Sequence, residues 1–268
     1  VIIFLKNKKK FNGSLSFLIT GDEEAQAING TKKVVDYLIK KKEKIDFCIV
    51  GEPTNPNKLG EMIKIGRRGS LSCNLELQGT QGHVAYPHLS NNPINSLITI
   101  CEKLKKKPLD KGNKHFQPSN LEFTRIDVDN KAHNVIPARV KTQFNIRYNN
   151  FHTAVSLKKM INAEVKSICK KNKIKYKIEF LTSGNSFLTK PGATIQMAKK
   201  VINKITKIKP VFSTTGGTSD ARFIKKISPC LEFGLVNKTM HRVDESVSLP
   251  DLKKLKKIYL SIIENYFI

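Results

Sequence analysis

The clearest pattern of apolar and polar positions lies in the middle of the chain. Residues 69–78 (GSLSCNLELQ) alternate strictly, which predicts a strand with one buried and one wet face. Pro93 opens a helical pattern that predicts a helix over 93–106, since proline suits the first turn. Strands are predicted over 119–128 and 138–148 (ARVKTQFNIRY), joined by a turn around Asp129-Asn130, with a helix over 153–172 and a strand over 174–182. The order β-α-β-β-α-β is that of a split βαβ, ferredoxin-like unit, with one open sheet face and edges free to pair with another subunit.

On either side the apolar runs are shorter. They predict strands at 14–20 (SLSFLIT), 46–50 (DFCIV) and 231–236, and helices at 31–42, 192–206, 219–226 and from Pro250 onward. In 31–42, Val34, Val35, Leu38 and Ile39 fall at helical spacing. Strands alternating with helices predict a mostly parallel sheet covered by helices. The fold class read from the chain is therefore an α/β domain, 1–67 and 183–268, interrupted by an inserted α+β domain over 68–182. No internal repeat is present.

Charge changes this picture little. The chain has 268 residues and a formal net charge of +26, which invites a nucleic-acid reading through counterion release. The basic residues are spread in short runs (40–42, 105–107, 253–254), and only seven are arginines. Tryptophan is absent, so the aromatic and guanidinium platforms of nucleic-acid readers are sparse. The expectation is a solvated lysine-rich surface with neither nucleic acid nor membrane as partner. The five cysteines (48, 73, 101, 169, 230) contain no CxxC pair, which points to thiols in a reducing, cytoplasmic compartment.

Candidate chemistry gathers where the strands end. Glu23 and Glu24 follow the run at 14–20 and Glu52 follows the run at 46–50, bringing three carboxylates to one sheet edge. Like charges that close repel unless a cation or proton separates them. Divalent metal binding is one reading, and an acidic turn or helix start is the other. His241 follows the last strand and is a ligand or a structural histidine. His83 lies between glycine-containing turns in the inserted domain, while His88, His115, His133 and His152 carry no spacing signal. The run Ser213 to Asp220 (STTGGTSD) has the hydroxyls and backbone donors of an anion cradle at a helix start. It lacks the GK[ST] ending of a phosphate loop, and helix capping by Thr218 or Ser219 accounts for it equally.

Taken in order, GDEE (21–24), GEPT (51–54), GRRGS (66–70), GHVAYPH (82–88), NVIPA (134–138), STTGGTSDARF (213–223) and MHRVDE (240–245) closely resemble the M20 family of di-zinc metallohydrolases over essentially the whole chain. The GRRGS, HVAYPH and TTGGTSD pieces resemble the family's desuccinylase branch. The resemblance implies a zinc-hydrolase-type catalytic domain with a mixed sheet and an inserted ferredoxin-like dimerisation domain. It implies hydrolysis of N-succinyl-LL-2,6-diaminopimelate to succinate and LL-diaminopimelate, a step of lysine biosynthesis. By motif, Glu23 resembles the general base, Glu24 and His241 ligands of one zinc, and Glu52 a ligand of the other. His83 resembles an oxyanion donor supplied by the partner subunit of a homodimer. Arg67, Asn134, Arg147, Thr218 and Asn237 resemble residues that hold the carboxylates of a small multi-carboxylate substrate. Two Zn²⁺ per subunit are implied, with Co²⁺ possible at one site.

The family's upstream His-x-Asp motif and metal-bridging Asp cannot be placed in this sequence. The expectation is thus an N-terminally truncated chain with a deficient metal site and little activity of its own. Rival readings are another M20 deacylase or dipeptidase, acting on N-acetyl substrates or peptides, and a non-catalytic scaffold.

Overall fold

A computed structural model describes residues 2–7, 10–25 and 27–267. In chain order, α1 (Ile2–Asn7), α2 (Thr31–Lys41), β1 (Cys48–Val50), β2 (Met62–Lys64) and β3 (Gly66–Arg67) come first. Next are β4 (Gly69–Gln78), β5 (Gly82–His83), α3 (Pro93–Lys105), β6 (Asn120–Asp127), β7 (Val135–Ile136), β8 (Arg139–Tyr148), α4 (Ala154–Lys171) and β9 (Lys175–Gly184). The chain ends with β10 (Phe187–Leu188), α5 (Ala193–Thr206), β11 (Val211–Ser213), α6 (Ala221–Ile224), β12 (Cys230–Glu232) and α7 (Leu249–Tyr266). It divides into two compact units, Val1–Arg67 with Leu188–Ile268, and Arg68–Phe187. The second crossing lies beyond residue 182 because β9 keeps its pairing with β4 as far as Gly184.

The unit Arg68–Phe187 is an antiparallel sheet in the order β6-β8-β4-β9. Its long strands follow from their alternation. Leu71, Cys73, Leu75 and Leu77 of β4, and Val140, Phe144, Ile146 and Tyr148 of β8, all face one buried layer. Helices α3 and α4 cover that layer with Leu97, Ile100 and Leu104, and with Leu157, Ile161, Val165 and Cys169 at helical spacing. Both helices are started locally. The Asn92 side chain accepts a hydrogen bond from Ile94 N at 3.0 Å, and Thr153 and Ser156 form a reciprocal capping box. The order of strands and helices is the split βαβ arrangement that the sequence pattern predicts.

The other unit has a shorter sheet, β1-β12-β2-β11, in which β1 with β12 and β2 with β11 are parallel and β12 with β2 is antiparallel. The sheet is therefore mixed rather than mostly parallel. Its core comes from Ile63, Leu231 and Phe233 packed with Ile195, Ala198 and Ile202 of α5 and Leu255, Ile258 and Ile262 of α7. Residues 14–20 form no strand; Phe17 is 65% exposed and Ile19 90%. An apolar run becomes a strand only where a neighbouring edge takes its backbone hydrogen bonds, and among the described residues no strand does so here. The strand predicted at 231–236 is confined to Cys230–Glu232, and the helix predicted at 219–226 to Ala221–Ile224. Among the described residues no helix is long and apolar enough to cross a membrane.

Candidate functional site

In the first unit the acidic motifs sit on turns, not on regular elements. Glu23 and Glu24 lie in a turn at 23–25, and Glu52 stands two residues beyond the end of β1. The end of β12 passes close to that backbone: a Cβ on Gly234 would fall 2.4 Å from the Glu52 carbonyl oxygen, so only glycine lets the two segments approach. The carboxylates feel one another. Glu52 is pushed up to about 7, first by burial and then by Glu232 and Glu23, with Arg67 opposing. Glu23 is also raised, first by burial, then by Glu24 and Asp220, with Arg222 and Arg67 opposing.

His241 stands on the loop after β12 in the left-handed region, φ 61°. Its backbone N donates to Glu245 Oε2 at 3.2 Å, and its Nε2 lies 3.8 Å from Glu24 Oε2. Glu24 and His241, which the family resemblance assigns to one metal, are thus neighbours. Glu52 is within electrostatic reach of Glu23 and Glu24. Among the described residues, no group of three His, Cys, Asp or Glu side chains forms a complete metal cage. The chemistry of the set nevertheless suits a divalent cation: carboxylate oxygen and imidazole nitrogen are zinc donors. Two of the carboxylates hold their protons more tightly than usual, and Asp220 Oδ1 is buried without a hydrogen-bond partner among the described residues. A cation would relieve that excess of acceptors.

Arg67 differs from the expectation of a guanidinium free for substrate. It is buried, and its Nε donates to Glu232 Oε1 and Oε2 at 2.9 and 3.1 Å while Nη2 donates to Oε2. Its Nη1 reaches the carbonyls of Thr215 and Gly217, each at 3.4 Å. The physical reason is that a buried carboxylate and a buried guanidinium each need a partner, and they meet here. Thr218 and Asn237 are half-buried; the Asn237 backbone N donates to Asn55 O at 2.9 Å.

The remaining candidates belong to the unit Arg68–Phe187. His83 is exposed on β5, which pairs with β7. Its Nδ1 accepts from Ala85 N at 3.0 Å, and its Nε2 lies 3.4 Å from Asn134 Nδ2. His83 and Asn134 therefore meet. Arg147 is half-buried on β8, and burial lowers its pKa; Arg68 is lowered by burial and by the like charge of Arg147.

Two residues escaped the sequence reading: Glu232 and Lys64. Lys64 and Glu232 each stand as a single charge inside an apolar run, MIKI and CLEFGLV, and that isolation is the one signal that marks them. Ser219 donates to Glu232 Oε1 at 3.0 Å, and Lys64 Nζ donates to Ser213 Oγ at 3.2 Å and to Thr215 Oγ1 at 2.6 Å.

The profile of peptidase family M20/M25/M40 matches residues 1–265. A succinyl-diaminopimelate desuccinylase of Pelagibacter ubique is 65% identical over 264 residues, covering 98% of this chain and 69% of that protein. One from Wolbachia pipientis subsp. Culex pipiens is 49% identical over 267 residues, covering 100% of this chain and 66% of the relative. The chain thus spans about two thirds of the length of these relatives. Among solved structures, the aminopeptidase PepT of Bacillus cereus superposes with a TM-score of 0.78 at 19% identity, covering 97% of this chain and 66% of that one. A tripeptidase from Staphylococcus aureus superposes at 0.71 with 16% identity, covering 86% and 60%, and both likenesses speak to fold alone. By its sequence and its fold, the chain belongs to peptidase family M20/M25/M40.

Proposed function

We propose that the protein containing this sequence is a metal-dependent amidohydrolase that cleaves N-succinyl-LL-2,6-diaminopimelate to succinate and LL-diaminopimelate. The desuccinylase relatives at 65% and 49% identity support the substrate class. The observation in the fold that supports the chemistry is the mutual field of Glu23, Glu24 and Glu52, with His241 3.8 Å from Glu24.

Glu24, Glu52 and His241 would hold the metal. A bound divalent cation, zinc by the character of these donors, supplies Lewis acidity that polarises the scissile carbonyl and acidifies the attacking water. Glu23 takes one proton from that water as its oxygen bonds to the amide carbon. Burial and the neighbouring carboxylates raise the proton affinity of Glu23, which suits a base that must also give the proton back. Glu23 then hands the proton to the amine as the carbon–nitrogen bond breaks. In a homodimer formed through the unit Arg68–Phe187, the partner's copy of the His83 imidazole would donate from Nε2 to the oxyanion. Hydrogen bonding of Nδ1 to Ala85 N favours that tautomer. Arg147, Asn134, Thr218 and Asn237 would hold the substrate carboxylates, Arg147 by the bidentate contact that a lysine cannot offer. Free thiols at all five cysteines suit a reducing, cytoplasmic setting.

Turnover by the zinc-loaded full-length protein tests the substrate. N-succinyl-LL-diaminopimelate should be preferred over N-acetylornithine and over dipeptides. A preference for the acetyl substrate or for a peptide would move the protein to a sibling activity.

A further inference from the structure

The turn 213–220 is held by groups that no assigned role explains. Its hydroxyls at Ser213, Thr215 and Ser219 are all spent on the protein. Lys64, buried at the end of β2, donates to Ser213 Oγ and Thr215 Oγ1, and Thr215 N donates to Ser213 Oγ at 3.1 Å. Glu232, 1% exposed on β12, receives Ser219 Oγ on Oε1 and the fork of Arg67 on both oxygens. Arg67 in turn reaches two carbonyls of the turn with Nη1. The close approach requires glycine at its centre. Gly216 has φ +101°, and a Cβ there would fall 2.5 Å from Arg67 Nη1. Among the described residues, the Thr218 hydroxyl is in no such bond.

A lone buried charge is costly, and a turn rich in glycine has many conformations to lose. Three charged residues, Lys64, Arg67 and Glu232, buried against one glycine-containing turn are best explained by a need to fix its shape. We propose that Glu232 and Lys64 are positioning residues: Glu232 acting through Arg67 and Ser219, and Lys64 acting through Ser213 and Thr215, lock the turn 213–220 in the form that presents Thr218 to the substrate. The Thr218 end of this inference rests on the desuccinylase reading; the locking of the turn does not. Neither residue touches the reacting atoms.

The test uses the full-length, metal-loaded protein with two readouts. Lys64→Met removes the ammonium and keeps the length of the chain, and Lys64→Arg restores a cation with donors. Glu232→Gln removes the charge opposite Arg67. Ser219→Ala removes only the hydroxyl tether to Glu232, so it decides the Glu232 limb even if Glu232→Gln fails to fold. Loss of uniform substrate binding raises KM and leaves kcat in place. Lys64→Met and Ser219→Ala should each raise KM for the succinyl substrate about tenfold, with kcat within about twofold, and Lys64→Arg should recover most of the loss. Amide hydrogen exchange in 214–219 should quicken about tenfold in both variants while the α5 and α7 amides stay unchanged. Unchanged exchange in the turn, or a fall in kcat at constant KM, overturns the proposal. If wild type does not turn over the succinyl substrate, the desuccinylase reading fails, and hydrogen exchange alone still decides whether these residues lock the turn.

Discussion

The two units solve the burial problem in opposite ways. The unit Arg68–Phe187 has a main sheet of four strands, three of ten residues and one of eight, and an apolar layer under two capped helices. Its buried polar groups are neutral: Ser70, Ser96, Ser119, Thr142 and Asn149. The other unit has strands of two or three residues, yet it buries Lys64, Arg67, Asp220 and Glu232. Regular alternation makes a scaffold that needs no charge inside. Short strands leave their ends free for turns, which carry Glu23, Glu24 and His241, while Lys64, Arg67 and Glu232 stand on the short strands themselves. Stability in one unit is mostly packing; in the other, part of it is a balance of desolvated charges.

That contrast can be broken by mutation. Glu232→Leu strands the Arg67 guanidinium and should cost about 4 kcal/mol in chemical denaturation, because a buried charge without its partner is strongly unfavourable. Arg67→Met combined with Glu232→Leu should recover most of that loss, since an apolar pair can replace a buried ion pair. If the double variant is as unstable as the single one, the charges are not what balances this unit. In the packed unit, Leu157→Ala removes a side chain 1% exposed on α4 and should cost about 3 kcal/mol through the cavity left behind.

A smaller and subtler effect belongs to Lys64. Burial first, then the like charge of Arg67, lowers its pKa from 10.5 to about 8, with Glu232 opposing. Between those values the unfolded chain keeps a proton that the native protein has released, so this lysine's contribution to stability rises with pH. Relative to Lys64→Met, wild type should therefore gain about 1 kcal/mol between pH 7.5 and 9. A flat difference across that range would place the ammonium in water.

How much of this the sequence foretold follows the same divide. The alternation in 69–78 was long enough to separate a buried from a wet face, and the β-α-β-β-α-β order was legible from the runs that follow it. The run at 14–20 carries the same local signal, but a strand is a property of two segments, and its partner edge is not written in seven residues. Glu23, Glu24 and Glu52 were visible as acidic ends of short runs, and His241 as the histidine after the last one. Glu232 was hidden, because its meaning depends on Arg67, 165 residues away, and a lone glutamate in CLEFGLV gives no spacing to read. Arg67 was visible as an arginine but not as one already paired, for the same reason.

In the proposed function Glu23 is the proton carrier of a site built from turns. Turnover of N-succinyl-LL-diaminopimelate and zinc content, measured together for full-length wild type and Glu23→Gln, test this most directly. Glu23→Gln should keep its zinc and its thermal transition while succinate release falls at least about a hundredfold, the usual scale for loss of a general base. A zinc-loaded Glu23→Gln protein that releases succinate at the wild-type rate would contradict that role.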